Sequence, residues 1–73
     1  MKKKYRKAVE KQFSALGFTI DERKDGGKHV KYYLTGPAGE KVVQTVSCTP
    51  KNEGNTVKAV FRSARKALAL AKG

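Results

Sequence analysis

His29 is the only histidine in the 73-residue chain, and lysines stand close to it on both sides. An imidazole titrates near neutral pH, so it can take up a proton and give it back. RNA is cleaved by its own 2′-hydroxyl group when a base removes that proton and cations stabilise the phosphorane charge. His29 with Lys28 and Lys31 could supply this chemistry without a metal ion. A lone histidine also fits an ordinary surface residue, or one that hydrogen-bonds RNA without reacting.

Tyr33 follows His29 by four residues, with Lys31 between them. Alternate residues of a strand share one face, so these three side chains would lie side by side. An aromatic ring in such a row can stack on a nucleic-acid base. The alternative for Tyr33 is a packing role, which is common for aromatic residues in strands.

A second basic set occurs near the end of the chain and consists of Lys58, Arg62, Arg65 and Lys66. Steps of four, seven and eight residues from the first member place the whole set on one face of a helix. No acidic residue follows Glu53, so none relieves the stripe by i,i+4 pairing. The helix N-terminus adds partial positive charge close to Lys58. The stripe is therefore predicted to contact phosphates, and a solvated helix face is the alternative.

The overall charge favours a polyanionic partner. The chain has 17 Lys and Arg against 6 Asp and Glu, a net charge of +11. Residues 1–11 hold six basic groups and one acid, and residues 54–73 hold five basic groups and no acid. Solubility alone does not require charges of one sign clustered in two segments. A phosphate backbone or an acidic protein would be attracted to them.

Several function classes are disfavoured by what the sequence lacks. Potential metal ligands do not occur at suitable spacing, so we expect no metal and no cofactor. No apolar run approaches the ~18–20 residues that span a bilayer, and no apolar segment follows the basic N-terminus as in a secretory signal. The single Cys48 cannot form an internal disulfide. We therefore expect a cytoplasmic protein with no membrane partner.

Apolar periodicity predicts one helix at each end of the chain. The first carries an apolar stripe and ends at Gly17, a position where a left-handed residue is common. The second begins at a cap, Asn55 or Thr56, and has an apolar face from Val57 to Ala71. The stripe of the first helix consists of Tyr5, Val9, Phe13 and Leu16.

Three strands are predicted between the helices. Phe18–Glu22 and His29–Leu34 alternate between apolar and polar residues, and Val42–Cys48 is rich in β-branched residues. The turns that join them, Asp25–Gly27 and Thr35–Gly39, are short and contain glycine. The strands should therefore form an antiparallel meander.

These elements predict a single α+β domain over residues 1–73, in the order α-β-β-β-α, with both helices on one face of the sheet. That order, with a glycine-histidine turn between the first two strands, resembles the double-stranded-RNA-binding fold. Gly26-Gly27-Lys28-His29 followed by Tyr33 is similar to the Gly-Pro-x-His-x-x-x-Phe loop of that group. Gly54-Asn55-Thr56, which leads into the basic helix, resembles its second RNA-contacting region.

The chain also resembles the HicA toxin family, small ribonucleases that use the same fold. Ala15-Leu16-Gly17-Phe18 is similar to the helix-to-strand junction of those toxins. Gly27-Lys28-His29 is similar to their Gly-Ser/Thr-His motif, with Lys28 in place of the hydroxyl residue. The resemblance implies that His29 is catalytic. It also implies an acidic antitoxin partner of the HicB type that covers the site.

Three functions are compatible with these sequence features. The first is a HicA-like, metal-independent mRNA endoribonuclease with His29 as its catalyst. The second is a non-catalytic module that binds double-stranded RNA or another nucleic acid. The third is a small phage regulator that binds an acidic host protein. The residues predicted to bind nucleic acid are Lys28, Lys31, Tyr33, Lys58, Arg62, Arg65 and Lys66.

Overall fold

The chain folds into two layers, a three-stranded sheet and a pair of helices that covers one face of it. A computed structural model describes the backbone of residues 2–72 and the side chains of residues 2–71; residues 1 and 73 of the predicted domain lie outside this range. The elements are α1 (Lys3–Ala15), β1 (Thr19–Gly26), β2 (His29–Thr35), β3 (Lys41–Ser47) and α2 (Glu53–Lys72). The predicted α+β class and the order α-β-β-β-α are confirmed.

β2 is the central strand and pairs antiparallel with β1 and β3. Alternate residues of β2 are buried beneath the helices, as the sequence pattern predicts. They are Val30, Tyr32 and Leu34. The opposite face of the sheet has no covering element among the described residues, and we call it the open face.

α1 buries Tyr5, Val9 and Phe13, which follow one another at intervals of four residues. The Phe13 ring packs against Tyr32, with ring centroids 5.1 Å apart and planes tilted by 59°. Such a pair contributes about 0.5–1.5 kcal/mol beyond the burial of its area. Gly17 has φ +86° and ends the helix as predicted.

α2 begins earlier than the predicted caps. Asn52 caps the helix, because its Oδ1 accepts a hydrogen bond from the backbone N–H of Asn55 at 3.0 Å. That bond satisfies one of the unpaired donors of the first turn. Asn55 and Thr56 therefore lie within the helix. The predicted apolar face also ends before Ala71, which is exposed, because α2 is about 30 Å long and exceeds the strands it covers.

β1 is longer than predicted, and its turn begins later. The strand reaches Gly26, which pairs with His29, so Gly27 and Lys28 are the two central residues of the hairpin. Gly27 has φ +66° and Lys28 does not have a positive φ, the combination that a type II′ turn requires. The prediction ended the strand at Glu22 because the alternation of apolar and polar residues stops there. The residues that follow are exposed, and pairing with β2 holds them in the strand.

Candidate nucleic-acid interface

His29 is the first residue of β2, and its side chain lies on the open face. Gly26 of β1 stands opposite it on one side and Ser47 of β3 on the other. The backbone N–H of Cys48 donates to the carbonyl of Lys28 at 2.9 Å, so the ladder continues to the base of the turn. Strand pairing on both sides therefore determines the position of His29.

The imidazole of His29 is exposed and has no hydrogen-bond or ion-pair partner within residues 2–71. No carboxylate of residues 2–71 orients it, in contrast to the histidine of a Ser-His-Asp triad. Ser47 stands opposite in a pair without mutual backbone hydrogen bonds, in which Cβ atoms are about 4.5–5.5 Å apart. An accessible imidazole of this kind can exchange a proton or a hydrogen bond with a ligand.

Lys24 of β1 lies directly opposite Lys31 of β2 on the open face. Both side chains are exposed, and neither forms an ion pair in the part of the chain that the structure describes. Like charges in directly opposed positions destabilise a sheet. Lys24 Nζ instead lies 5.4 Å from the centroid of the Tyr33 ring, a cation–π contact. A bound anion would relieve the repulsion between the two lysines.

Lys24 is a candidate residue that sequence reasoning missed. The predicted strand ended at Glu22 and left Lys24 outside the sheet. A two-residue turn at Gly27-Lys28 would have identified it, because counting outward from that turn makes Lys24 the partner of Lys31. Tyr33 is half-buried, so a base that stacked on its ring would compete with Lys24 for the ring face.

We call the cluster near the turn the sheet surface; it consists of Lys24, Lys28, His29, Lys31 and Tyr33. The other end of the open face is neutralised. Asp21, at a bulge in β1, accepts a hydrogen bond from the Thr35 hydroxyl and lies 3.7 Å from Lys41 Nζ. Lys41 also donates to Thr35 Oγ1 at 2.8 Å. The open-face lysines without an ion pair among the described residues therefore lie near the turn, on the same face as the exposed Glu22.

The second candidate site is the helix surface, which consists of Lys58, Arg62, Arg65 and Lys66. All of its side chains are exposed, on the side of α2 away from the core. Arg62, Arg65 and Lys66 line a shallow depression of about 420 Å³ together with Ala69. No described acidic side chain forms an ion pair with the helix surface. The predicted stripe is thus a continuous face of unpaired cations.

The N-terminus of α2 is not the open phosphate site that the sequence suggested. Asn52 already accepts a hydrogen bond from the N–H of Asn55, and Glu53 places a carboxylate in the first turn. Both groups offset the partial positive charge of the helix terminus. Lys58 therefore contributes its own positive charge to the site, without added charge from the helix terminus.

The two surfaces come together at one end of the molecule. Ser47, opposite His29, accepts a hydrogen bond at its carbonyl oxygen from the Tyr5 hydroxyl at 2.8 Å. Tyr5 and Lys58 both line a depression between the N-terminal turns of the two helices. The hairpin turn and Lys58 therefore share this end. From there the helix surface extends about 12 Å along α2 to Lys66.

The predicted nucleic-acid-binding residues thus divide between two surfaces instead of forming one track. Lys28, Lys31 and Tyr33 belong with His29, whereas the others lie on α2. The sheet surface faces away from the helices, whereas the helix surface lies on the exposed side of α2. The two surfaces adjoin at the end where the turn and Lys58 lie, so a single ligand can contact both there.

Three acidic residues, Glu10, Asp21 and Asp25, form ion pairs with basic residues that belong to neither surface. A carboxylate oxygen of Glu10 lies 3.7 Å from Arg6 Nε and 3.9 Å from Arg23 Nη1. The same oxygen accepts a hydrogen bond from the Tyr32 hydroxyl at 3.0 Å, and burial together with this bond raises the pKa of Tyr32. Among described side chains, Arg6, Arg23 and Lys41 are the basic residues found in ion pairs with acids. The acidic residues in these pairs therefore do not neutralise either basic surface.

Comparison with known proteins gives no match: neither a family model, nor a curated protein, nor a solved structure corresponds to the chain. Within residues 2–72, no three His, Cys, Asp or Glu side chains are grouped so that they could hold a metal ion. No helix in the same range is long and apolar enough to cross a bilayer. The two basic surfaces are therefore the features from which a function is inferred.

Proposed function

We propose that this protein binds RNA in the cytoplasm through the phosphate backbone, with the sheet surface and the helix surface as its contact sites. The main support for this proposal is that Lys24 lies directly opposite Lys31 on the sheet. Both side chains are exposed, and neither forms an ion pair with an acidic residue among the described residues. This arrangement costs stability in the free protein and is relieved when a polyanion binds. The unpaired cations of α2 add a second contact site.

RNA binding is tested by fluorescence anisotropy with a labelled duplex RNA between about 50 and about 200 mM salt. Contact with about five phosphates gives a slope of about −4 for the logarithm of the affinity against that of the salt concentration. Lys24→Gln with Lys31→Gln, and separately Arg62→Gln with Arg65→Gln, should each flatten that slope by up to about 2.

A matched control removes the same charge outside both surfaces. Lys7→Gln with Lys11→Gln does so on the exposed side of α1. We expect this control to change the slope by less than about 0.5, because neither lysine is proposed to contact phosphate. Equal flattening by all three pairs would indicate unspecific attraction of polyanions and contradict the proposal. Tighter binding to an acidic protein than to RNA would favour the phage-regulator alternative.

A HicA-like, metal-independent endoribonuclease is the second candidate, and the exposed His29 close to Lys28 and Lys31 favours it. His29 would take the proton of a 2′-hydroxyl group as that oxygen attacks the adjacent phosphorus and the bond to the 5′ oxygen breaks. The lysines would stabilise the phosphorane charge. The products are a 2′,3′-cyclic phosphate and a 5′-hydroxyl group, the latter protonated by the imidazolium. An acidic antitoxin of the HicB type would inhibit the enzyme by covering His29.

Catalysis is tested by incubating a mixed structured RNA with the wild-type protein and with His29→Ala in EDTA. Cleavage by the wild type that is absent in the variant, with cyclic phosphate ends on the products, would support the ribonuclease. Absence of cleavage by both, with salt-sensitive binding by both, would leave a non-catalytic RNA-binding module.

A further inference from the structure

The two edge strands of the sheet are protected to very different degrees. The edge of β1 has a bulge at Asp21 and an uninterrupted charged run, Glu22–Asp25. Bulges and charges are the means by which native proteins prevent an edge from pairing with another chain. β3 pairs with β2 without a bulge, carries one charged residue, Lys41, and leaves Val43 53 % exposed.

The ladder between β2 and β3 determines which backbone groups point outward. The backbone N–H of Gly36 donates to the backbone carbonyl of Glu40 at 2.7 Å, and that of Cys48 donates to the backbone carbonyl of Lys28 at 2.9 Å. Because bonded and unbonded pairs alternate in an antiparallel ladder, the even-numbered residues of β3 bond to β2. The odd-numbered residues therefore direct their N–H and C=O groups away from the sheet. They are Lys41, Val43, Thr45 and Ser47.

One end of this outward row is already occupied. The Ser47 carbonyl accepts the hydrogen bond from the Tyr5 hydroxyl. No backbone or side-chain partner for the outward groups of Lys41, Val43 and Thr45 is found among the described residues. The free edge thus extends over Lys41–Thr45, long enough for several backbone hydrogen bonds to an added strand.

A groove of about 210 Å³ lies beside this edge, between β3 and α2. Val46 and Val60 contribute apolar surface to it, with Ala59 beside them on α2. The Ser63 hydroxyl donates to Gln44 Oε1 at 3.0 Å across the same boundary. An added strand directs alternate side chains to each face of the sheet, so every second one would enter the groove.

The charges around the groove indicate what kind of strand fits. Arg62 and Lys66 stand three residues after Ala59 and Ser63 on α2 and are exposed on the same side of the helix. Lys41 lies at the start of the free edge, but its ammonium group is already paired with Asp21. A second copy of this chain, itself at +11, would be repelled, whereas an acidic segment would be attracted.

We propose that β3 is a docking strand for an extended, acidic segment of a partner protein, which adds to Lys41–Thr45 as a fourth strand. The outward backbone groups supply the affinity, and the groove accepts the small apolar side chains of the segment. The acidic side chains of the segment lie near Arg62 and Lys66. This inference does not rest on RNA binding, because the backbone groups of the edge belong to neither basic surface; Arg62 and Lys66 are shared with the helix surface.

The probe is a fluorescein-labelled acidic peptide of alternating glutamate and valine with the length of β3, 7 residues. A second peptide has the same sequence with every backbone nitrogen methylated, so that charge and side chains remain but donors are lost. We expect the first peptide to bind at least ten times more tightly than the second. It should also slow the hydrogen exchange of the Val43 and Thr45 amides, measured by NMR.

Two variants of the chain make the test specific. Thr45→Pro removes an outward N–H without touching the ladder to β2, and Thr45→Ala keeps that N–H. Binding of the unmethylated peptide should be at least tenfold weaker to the proline variant than to the alanine variant. Equal binding by both variants, or equal binding of both peptides to the wild type, would overturn the proposal. If Thr45→Pro fails to fold by circular dichroism, the comparison of the two peptides on the wild type decides.

A second copy of this chain is the competing occupant of this edge. Sedimentation would detect a dimer formed by the wild type and Thr45→Ala but not by Thr45→Pro. Such a result would assign β3 to a second copy and overturn the acidic segment. A monomer across the concentration range is expected.

Discussion

The sheet surface and the helix surface carry charge of the same sign but are built in different ways. Strand pairing places Lys24 opposite Lys31 on the sheet, whereas helical periodicity alone places Arg62 beside Lys66, four residues later. Only the sheet surface contains a histidine, His29, the residue type that most often serves as a general acid or base. The proposed proton transfer is therefore confined to the sheet surface, whereas phosphate contacts are proposed for both surfaces.

The largest expected effect separates the two surfaces by chemistry. His29→Ala should lower single-turnover RNA cleavage by about 10²–10⁴-fold, because it removes the proposed acid–base group. RNA affinity, measured by anisotropy, should change less than about threefold, because the phosphate contacts remain. Arg65→Gln on the helix surface should lower affinity and cleavage together. Cleavage by His29→Ala at the wild-type rate would remove the chemical distinction between the surfaces.

The next largest effect is on stability, and it differs in sign between two glycines, Gly27 in the hairpin turn and Gly54 in the first turn of α2. Gly27→Ala should lower the free energy of unfolding by about 1–2 kcal/mol, because an alanine is strained at the φ of +66° found there. An added Cβ meets nothing within 4 Å, so the whole cost comes from the backbone conformation. Gly54→Ala should raise it by up to about 1 kcal/mol, because Gly54 lies in α2 and its added Cβ meets only Asn52 Oδ1 at 3.6 Å. Urea unfolding measures both. The same sign for both variants would contradict this distinction.

A pH-dependent effect tests how the sheet is joined to α1. Burial raises the pKa of Tyr32, so the folded chain keeps a proton that the unfolded chain releases above about pH 10. The free energy of unfolding should therefore be insensitive to this group below about pH 10 and fall as pH rises beyond it. Tyr32→Phe should cost about 1 kcal/mol near neutral pH by removing the hydrogen bond to Glu10.

The same variant should also weaken the alkaline fall in stability, measured by urea unfolding near pH 8 and above pH 10. Part of the fall should remain, because burial raises the pKa of Tyr5 too. Tyr33→Phe is the matched control, since no hydrogen bond of the Tyr33 hydroxyl is found within residues 2–71. An unchanged fall in Tyr32→Phe would contradict the role assigned to this hydroxyl.

The smallest effect compares repulsion within the two surfaces. Lys31→Gln removes the like-charge pair with Lys24 and should stabilise the fold by a few tenths of a kcal/mol at low salt. Arg62→Gln removes i,i+4 repulsion with Lys58 and Lys66 and should gain about 0.2–0.5 kcal/mol. Both gains should vanish near 1 M salt, where the screening length is about 3 Å. Gains that persist at that salt concentration would show that repulsion is not their cause.

Most secondary structure could be predicted because it follows from patterns among near neighbours in the chain. Val30, Tyr32 and Leu34 are buried as their alternation indicates, and Gly17 ends α1 with a positive φ. The errors lie at element ends. Asn52 caps α2 through a side-chain bond, and β1 continues to Gly26 through pairing with β2. Neither extension is marked by apolar periodicity.

Patterns in the amino-acid sequence indicate the excess of positive charge, the lone His29, the basic stripe on α2 and the order of helices and strands. The tertiary structure adds that Lys24 faces Lys31, that the two basic surfaces lie in different layers, and that residues 41–45 of β3 have no partner strand on their outer side among the described residues. The physical reason is that periodicity is a property of consecutive residues. Strand register, layer packing and edge exposure depend instead on contacts between residues far apart in the chain.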